Sequence, residues 1–418
     1  MPHLPPTLAP AVRQAPTWTE LERLRTTSPM YDAVIDEIDG RRIRVGDDWL
    51  IDYASCNYLG LDLDEEVMAA IPGEVRRWGT HPSWSRLLGN PALYPRIEER
   101  TAELLGAPDV LVLPTITHIH LSVIPVLAGR GTIMLESQAH KTIYDGTVMA
   151  RSQGAVTHRF RTGDLDQLAD LLRAAPTDAP RLVCVDGVNS MTGNLPDLRR
   201  MAELCRSTGA LLYVDDAHGF GVVGERCPTE SSPYGRRGNA IVAHLGESYD
   251  GIVLVGGFSK AYSSLLAFLA LPTGLKNHLK VAAAPYLYSG PSPVASLATV
   301  LAGLDVNERR GDTLRAHLHA LTERVLAHLR TLRVYTPNRT GTPIIELPLA
   351  PGADLAVTSR ILWRRGIYVT LAAYPLVPLD QVGIRVQLTA AHTVAQVDHL
   401  NKVISELVAE GQLRVATE

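Results

Sequence analysis

Four polar side chains in this sequence end or follow short apolar runs and could take part in catalysis. Lys260 supplies an amine, Asp215 a carboxylate, and His140 and His218 supply imidazoles. An amine can form a Schiff base with an aldehyde, a carboxylate can keep a heterocyclic nitrogen protonated, and an imidazole can contact an aromatic ring. Asp215 and His218 are three positions apart, but His140 and Lys260 lie far from them in the chain, so the four residues can act together only if the fold brings several strand ends to one place.

Pyridoxal 5'-phosphate (PLP) needs such groups from a protein, together with backbone N–H groups at a helix N-terminus for its phosphate. Lys260 could hold the aldehyde, and Asp215 could pair with the pyridine nitrogen. The turn Thr115-Ile116-Thr117 follows an apolar run, and its two hydroxyls can cap a helix and reach a phosphate. We therefore predict PLP as the cofactor, bound by these residues.

Each of these residues has a simpler interpretation when it is taken alone. A lysine after a strand is commonly a solvated loop residue, Asp215 could cap a turn, and His140 could be an ordinary structural histidine. The joint presence of Asp215 and of Ser259-Lys260 at strand ends favours the catalytic interpretation.

Two rival patterns occur near the same residues. Residues 219–224 match the G-x-G-x-x-G pattern of dinucleotide-binding proteins, but prolines and glycines follow where that pattern should open a helix. We therefore expect no dinucleotide site. His118, His120 and His140 could be metal ligands, but no cysteine or carboxylate with a suitable spacing accompanies them, and we expect no metal.

The elements that must position these side chains alternate along the chain. From residue 60 to 295, apolar runs of strand length alternate with amphipathic segments of helix length, which predicts a mostly parallel sheet with helices on both faces. The seven predicted strands are residues 110–113, 132–136, 155–160, 182–186, 211–215, 252–256 and 265–271. Because ligands bind beyond the carboxyl ends of the strands in such α/β sheets, the polar residues that follow these strands should share one edge.

With 418 residues, the chain exceeds the size of one typical domain, and we predict a large domain and a smaller one. The predicted division is an N-terminal arm and hairpin at residues 1–59, a large PLP-binding domain at 60–293, and a long helix with a small α/β domain at 294–418. Within these segments we expect a helix near 18–26, a hairpin at 38–53, a helix over 294–332, and strands near 342–347, 366–369 and 383–388.

The charge balance and the apolar windows exclude some classes of partner. The formal net charge is −4, and no basic run interleaved with aromatics suggests a nucleic-acid surface. The most apolar long window, residues 110–127, contains prolines and histidines, which argues against a membrane span. The N-terminus lacks the pattern of a secretory signal. We expect a cytoplasmic protein that binds small molecules, with no nucleic-acid partner and no membrane partner.

Several motifs, in order between residues 38 and 410, resemble those of the α-oxoamine synthases (8-amino-7-oxononanoate synthase-like enzymes) of the aminotransferase class I/II superfamily. The motifs are Asp52-Tyr-Ala-Ser-Cys-Asn57-Tyr58-Leu-Gly-Leu61, Ser85-Arg86, Asp186-Gly-Val-Asn-Ser190-Met-Thr-Gly193, Val214-Asp-Asp-Ala-His-Gly-Phe-Gly221, Ser259-Lys-Ala261 and Ile384-Arg385-Val-Gln-Leu-Thr-Ala-Ala-His392-Thr393. The resemblance implies the fold-type I PLP architecture, with a large domain on a mostly parallel seven-stranded sheet and a small C-terminal α/β domain.

The resemblance also implies roles for the residues that match the motifs. Lys260 would be the Schiff-base lysine, Asp215 the partner of the pyridine nitrogen, and His218 the contact to the ring hydroxyl. His140 would stack on the pyridine face. Lys260, His140 and His218 are the predicted catalytic residues.

Further residues are implied around the cofactor and the substrate. Ser190 would lie near the ring, and Ser259 would contact the cofactor beside the lysine. Arg385 resembles the arginine that binds the amino-acid carboxylate, a task that suits the planar guanidinium fork. Asn57 and Ser85 are further expected substrate contacts.

The implied reaction is a decarboxylative condensation of an amino acid with an acyl-CoA. One alternative is a larger amino acid, such as S-adenosylmethionine after γ-elimination, that reacts with an electrophile other than a CoA thioester. Another alternative is a PLP-fold binding protein without catalytic activity. Because members of the family are homodimers, Ser289 is expected to reach the phosphate bound by the partner subunit.

The sequence departs from the family near the predicted cofactor. The family usually has a Ser-Gly-aromatic turn where this chain has Pro114-Thr115-Ile116-Thr117, and it often has a threonine where Gly257 stands. It also has a glycine-rich turn after the lysine, which residues 262–267 lack. These departures leave the amino acid and the electrophile open, and His118 and His120 have no predicted role.

Overall fold

The structure is a computed structural model that describes residues 19–227, 229 and 232–416. The chain forms two compact units, a large unit of Cys56–His319 and a small unit of Met1–Ser55 together with Ala320–Glu418. The domain boundaries predicted at residues 59 and 293 stay a prediction.

Strands and helices alternate through most of the described chain. The strands are β1 (Glu37–Asp39), β2 (Arg42–Val45), β3 (Asp48–Asp52), β4 (Asp109–Leu113), β5 (Thr132–Glu136), β6 (Val156–Phe160), β7 (Arg181–Asp186), β8 (Leu211–Asp215), β9 (Ile252–Gly257), β10 (Ala267–Leu271), β11 (Ile344–Pro348), β12 (Ile367–Tyr368), β13 (Thr370–Ala372) and β14 (Gly383–Gln387). The α-helices are α1 (Thr19–Thr27), α2 (Glu65–Ala69), α3 (Ile71–Trp78), α4 (Leu93–Leu105), α5 (Ile116–Ala128), α6 (Lys141–Ser152), α7 (Leu165–Ala174), α8 (Leu198–Thr208), α9 (Ala240–His244), α10 (Thr273–Ala282), α11 (Ala284–Leu287), α12 (Val294–Thr331), α13 (Leu355–Arg364) and α14 (Val394–Ala409). Single turns of 3₁₀ helix span Leu61–Leu63 and Leu379–Gln381.

The large unit is built on a seven-stranded sheet with the strand order β4-β10-β9-β8-β7-β5-β6. Strand β10 runs antiparallel to its neighbours β4 and β9, and the remaining pairs are parallel. The predicted mostly parallel sheet is therefore confirmed. Strand β10 begins at Ala267 rather than at residue 265, because Leu266 instead belongs to a turn in which its N–H donates to the carbonyl of Ser264.

The central strands are apolar on both faces because helices cover the two sides of the sheet. All residues of β5, β9 and β10 are buried, and β7 is buried apart from its first residue. Side-chain caps start several of the covering helices: Asp164 accepts a hydrogen bond from the N–H of Gln167 at α7, and Asp197 accepts one from the N–H of Arg200 at α8. These helices return the chain to the start of the next parallel strand.

The segment that matches the dinucleotide pattern contains turns and no helix, as expected from the residues that follow it. Its first glycine has a packing role. A Cβ atom at Gly219 would lie 2.0 Å from Oδ1 of Asp216, so glycine is required there. The Asp216 carboxylate is thereby free to accept hydrogen bonds from the N–H groups of Val188 and Ile241.

The small unit contains two sheets. Strands β2 and β3 form the predicted hairpin, β1 pairs antiparallel with β2, and β12 adds parallel to β3. The second sheet has the order β11-β14-β13 and is antiparallel. Helix α14 starts at Thr393, where the side chains of Thr393 and Gln396 form a reciprocal capping box.

The remaining helix predictions agree closely with the structure. Helix α12 spans Val294–Thr331, one residue shorter than predicted, and α1 covers most of the helix expected near residues 18–26. Residue 18 lies outside the described residues. Within the described chain, no helix combines the length and the apolar character that a membrane span requires.

Candidate active site

One cavity in the large unit lies where the carboxyl ends of the central parallel strands meet the start of α5. It has a volume of about 180 Å³. Its lining residues are Thr115, Ile116, Thr117, His140, Thr142, Asp186, Val188, Ser190, Asp215, Ala217, His218, Ser259 and Lys260. The predicted amine, carboxylate and imidazoles, which the sequence spreads over more than a hundred positions, thus line a single cavity.

Lys260 reaches the cavity from the turn that follows β9. Its side chain is half-buried, and Ser259 beside it is exposed. The N–H of Ser263 donates to the carbonyl of Lys260 at 3.0 Å, and Ser263 adopts a positive φ of 53°. This tight turn holds the backbone of the lysine at the end of the strand.

Asp215 is the last residue of β8 and is buried. Its Oδ1 accepts a hydrogen bond from the N–H of Ala217 at 3.0 Å, and its Oδ2 lies 2.9 Å from Nε2 of His120. Burial alone would raise the pKa of this carboxyl, but the charge and hydrogen bond of His120, together with the charge of Lys260, outweigh burial and lower the pKa to about 2. Asp215 is therefore ionised at neutral pH.

His120 has no role predicted from the sequence, yet it is part of this site. It was considered as a metal ligand, but in the structure it is fully buried on α5 and contacts Asp215. The available signal was its place among the apolar residues of α5, because a buried imidazole needs a polar partner. His118 is exposed, and its Nδ1 lies 3.0 Å from Oγ1 of Thr115.

Asp186 brings a second carboxyl to the cavity, and sequence reasoning gave it no role of its own. It ends β7 and is paired in register with Asp215. Its Oδ1 accepts a hydrogen bond from the backbone N–H of His140 at 2.9 Å. Burial and the neighbouring charge of Asp215 raise the pKa of Asp186 well above its usual value. Asp186 therefore positions the segment that carries His140.

The two predicted imidazoles are each held by a second residue. Nδ1 of His218 lies 2.7 Å from the hydroxyl of Tyr58, and both side chains are buried. His140 precedes α6 as its N-cap, and its Nδ1 lies 2.7 Å from Oγ1 of Thr142. In both residues the hydrogen-bond partner at Nδ1 fixes the orientation of the ring.

The N-terminus of α5 forms the end of the cavity predicted for the phosphate. Thr115 is the N-cap, and its hydroxyl accepts a hydrogen bond from the N–H of His118. The first N–H groups of a helix have no partner within the helix, and they favour an anion. Thr115, Ile116 and Thr117 all line the cavity there.

Two positions at which the sequence departs from the family, Ile116 and Gly257, lie against each other at this end of the cavity. A Cβ atom at Gly257 would lie 2.6 Å from Cδ1 of Ile116. The bulky isoleucine in the turn therefore occupies space that is open only because residue 257 has no side chain. Neither position alone indicated this relation, since 141 residues separate them in the chain.

The other residues predicted from the sequence lie in different places. Ser190 and Ser259 line the cavity, whereas Asn57, Ser85 and Ser289 are absent from its described lining. Asn57 donates a hydrogen bond from Nδ2 to Asp62, and Ser85 donates one from Oγ to the carbonyl of Leu287. Arg385 lies in β14 of the small unit, opposite Glu346 in the strand register.

Comparison with known proteins shows what this arrangement belongs to. A family model described as aminotransferase class I and II matches residues 51–404. The chain belongs to this family. Within it, 8-amino-7-oxononanoate synthase from Pseudomonas putida KT2440 is 34% identical over 382 residues, which cover 91% of each chain. The same enzyme from Chromohalobacter salexigens is 35% identical over 353 residues, or 84% of this chain and 87% of the relative.

Solved structures of related enzymes have the same fold. Serine palmitoyltransferase from Sphingomonas wittichii superposes with a TM-score of 0.85 at 26% identity, covering 98% of this chain and 99% of the other. An 8-amino-7-oxononanoate synthase from Francisella tularensis has a TM-score of 0.71 at 21% identity, covering 86% and 98%. The predicted family is therefore confirmed: the protein is a PLP-dependent enzyme of the α-oxoamine synthase type with the fold-type I architecture.

The residues of the cavity fit PLP. Lys260 offers the amine, and Asp215 offers a carboxylate whose charge is maintained despite burial. The start of α5 offers N–H groups and hydroxyls for a phosphate. These groups surround one cavity, so a single molecule with an aldehyde, a basic ring nitrogen and a phosphate could contact all of them.

Proposed function

We propose that this protein condenses an amino acid with an acyl thioester at a PLP cofactor held by Lys260, with loss of the amino-acid carboxylate as CO₂. The observation that carries this proposal is the convergence of Lys260, Asp215, His140 and His218 on one cavity in a chain of this family. When bound, PLP supplies an electron-withdrawing ring that stabilises negative charge at the α-carbon of the amino acid.

The side chains around the cavity have separate tasks in this proposal. The Lys260 amine would hold the cofactor, and the same amine would accept the proton from the α-carbon of the amino acid. Asp215 keeps a proton on the ring nitrogen because its own carboxyl stays ionised. His140 would contact the ring face, and His218, held by Tyr58, would donate to the ring oxygen. Ser190 and Ser259 line the same cavity and would contact the cofactor.

The bonds balance without any further reactant. A carbon–carbon bond forms between the α-carbon and the acyl carbonyl carbon, and the carbon–sulfur bond of the thioester breaks to release a thiol. The bond from the α-carbon to the carboxylate then breaks and releases CO₂, and a proton replaces it. Arg385 would bind the carboxylate before that step, because a guanidinium can meet both oxygens. Asn57 and Ser85 are proposed to contact the substrate from outside the described lining.

We also propose that the protein acts as a homodimer in the cytoplasm. In this arrangement Ser289 would contact the phosphate bound by the partner subunit. An exposed apolar surface next to Ser289 supports the proposal: Leu88 and Tyr288 are 82% and 84% exposed, and the Ser85–Leu287 hydrogen bond joins their two segments. Light scattering should give twice the chain mass, and a mass of one chain at micromolar concentration would refute the dimer. Cell fractionation tests the cytoplasmic location.

The experiment that tests the condensation is a substrate panel with two product readouts. The purified holoenzyme is mixed with individual carboxyl-labelled amino acids and a set of acyl-CoA thioesters, and free thiol and labelled CO₂ are measured together. We expect equal amounts of thiol and CO₂ with one preferred amino acid. Lys260→Ala should abolish both products, whereas Lys402→Ala, at an exposed lysine of the small unit, should leave both unchanged.

Other product patterns would point to the alternatives considered from the sequence. If the protein consumes S-adenosylmethionine without releasing a thiol, the electrophile is not an acyl thioester. The reaction would then be a γ-elimination and not the proposed condensation. A cofactor whose absorption no amino acid perturbs would favour a binding protein without catalytic activity. Either result would overturn the proposed condensation.

A further inference from the structure

His120 lies behind Asp215 and contacts two groups on the same face of β8. Its Nε2 is 2.9 Å from Oδ2 of Asp215, and its Nδ1 is 2.8 Å from the hydroxyl of Tyr213. Residues two apart in a strand point to the same face, so Tyr213 and Asp215 both face α5, where His120 sits. All three side chains are buried.

The Tyr213 hydroxyl decides which nitrogen of His120 carries the proton. Burial and the nearby Cys184 and Asp215 raise the pKa of Tyr213 well above 10, so this phenol keeps its proton at neutral pH. Among the described residues, Nδ1 of His120 is the hydrogen-bond partner found for that hydroxyl. The phenol therefore donates to Nδ1, and a proton carried on Nε2 of His120 faces Asp215.

With a proton on Nε2, His120 can donate a hydrogen bond to the buried carboxylate of Asp215. The Nε2–H of His120 points at Oδ2, while the N–H of Ala217 serves Oδ1. A buried carboxylate without donors would become protonated, and a protonated Asp215 could not hold a proton on a ring nitrogen.

We infer that His120, with its tautomer held by Tyr213, is a positioning residue that keeps Asp215 ionised and oriented toward the cofactor ring. This inference rests on the proposed role of Asp215 as the partner of the ring nitrogen. His120 itself does not line the cavity, so it acts through Asp215 and not by touching the cofactor. His118, two residues earlier on the same helix, is exposed and has no part in the arrangement.

The test compares three variants by PLP affinity and by the pH dependence of the visible absorption of the bound cofactor. His120→Leu removes the donor, and we expect PLP binding to weaken about 10- to 100-fold, as for loss of a hydrogen bond to a buried charge. We also expect the acid limb of the absorption profile to move to higher pH. His120→Asn retains an N–H donor and should weaken binding less than about 10-fold.

Tyr213→Phe removes the hydroxyl that donates to Nδ1 of His120, so either ring nitrogen of His120 can then carry the proton. We therefore expect the acid limb of the absorption profile to shift in the same direction as in His120→Leu, but by less. His158→Asn, at an exposed histidine on β6, is the matched control and should change neither readout. If His120→Leu keeps the PLP affinity and the absorption profile of the unaltered protein, the inference is wrong.

A second measurement does not depend on how the variants fold. Nitrogen NMR of the histidine-labelled apoprotein should show a proton on Nε2 of His120 at neutral pH, and a His120 ring protonated on Nδ1 alone would overturn the inference. Asp215→Ala separates the two proposals. If Asp215→Ala changes PLP affinity and absorption but His120→Leu does not, the role of Asp215 stands and that of His120 falls. If neither changes them, the proposed role of Asp215 fails.

Discussion

Asp215 and Glu346 are both buried carboxyls on strands, one in each unit, and their surroundings differ. Asp215 ends β8 and has hydrogen bonds from His120 and from the N–H of Ala217. Glu346 lies inside β11, and among the described residues neither of its side-chain oxygens has a hydrogen-bond partner. Arg385 is opposite Glu346 in the strand register.

The two carboxyls consequently have opposite pKa shifts. Asp215 has a pKa lowered to about 2, because His120, Lys260 and His140 together outweigh the effect of burial. Burial raises the pKa of Glu346 to about 7, and the charge of Arg385 offsets only part of that increase. Burial raises both values, so the difference comes from donors and cations aimed at the carboxylate. Of these two carboxyls, the one that stays charged is the one with hydrogen-bond donors arranged around it.

The difference matters for the proposed function. At neutral pH and below, the cofactor partner Asp215 is charged while a large fraction of Glu346 is protonated. A protonated Glu346 places one negative charge fewer opposite Arg385, the guanidinium that is proposed to bind a substrate carboxylate. Asp215 is therefore an anion where the protonated ring of PLP is expected, whereas Glu346, opposite Arg385, is neutral in a large fraction of molecules at and below neutral pH.

The largest expected effect comes from removing the charge at Asp215. Asp215→Asn preserves the shape and can still accept the hydrogen bond from His120, but it cannot keep a proton on the ring nitrogen. We expect kcat to fall about 10²- to 10³-fold, the usual cost of one missing electrostatic contact in an active site. Steady-state kinetics with the preferred amino acid measure the effect.

Asp170→Asn is the control for this change, because Asp170 is an exposed partner of Arg173. Its kcat should equal that of the unaltered protein. An Asp215→Asn enzyme with kcat within a factor of two of the unaltered enzyme would show that the charge contrast has no role in catalysis.

The second effect concerns stability at Glu346. A folded-state pKa near 7, above the ordinary value of 4.5, means that the folded protein binds this proton more tightly than the unfolded chain. The free energy of unfolding should therefore decrease as pH rises from about 4.5 to about 7 and stay lower above that range. Glu346→Gln cannot ionise, so relative to the unaltered protein it should gain about 1 to 3 kcal/mol between pH 4 and pH 8.

Denaturant unfolding at a series of pH values measures this gain. Asp398→Asn serves as the control, because Asp398 pairs with Arg324 at the surface and should give no comparable gain between pH 4 and pH 8. Parallel pH curves for Glu346→Gln and the unaltered protein would mean that Glu346 is ionised in the fold, as Asp215 is, and the contrast between the two carboxyls would be lost.

The smallest expected effect concerns the contact between Gly257 and Ile116 at the end of the cavity that is proposed to bind the phosphate. Gly257→Thr places side-chain atoms against Ile116, and Ile116→Gly leaves an empty space. The double variant should recover part of both losses in PLP affinity, with a coupling of about 1 to 2 kcal/mol. Equilibrium dialysis of PLP against the four proteins gives the coupling, and strictly additive losses would show that the two positions are independent.

Much of the fold could be predicted from the sequence, because it depends on local patterns. Apolar runs of strand length between amphipathic segments indicate a parallel sheet, and the observed strands lie within a few residues of the predicted ones. The same patterns place Lys260, Asp215 and Asp186 at strand ends. Since the carboxyl ends of parallel strands share an edge, their convergence followed without any coordinates.

The sequence by itself thus determined the sheet, the strand ends and the residues that are proposed to hold PLP. Only the tertiary structure decided which side chains stand behind them. His120 meets Asp215 across 95 positions of chain, Ile116 packs against Gly257, and Glu346 lies opposite Arg385. Such pairs depend on the packing of one element against another, because donors, cations and free space reach a buried group from remote segments. A local pattern shows that a carboxyl is buried, but its neighbours in space decide whether it is charged.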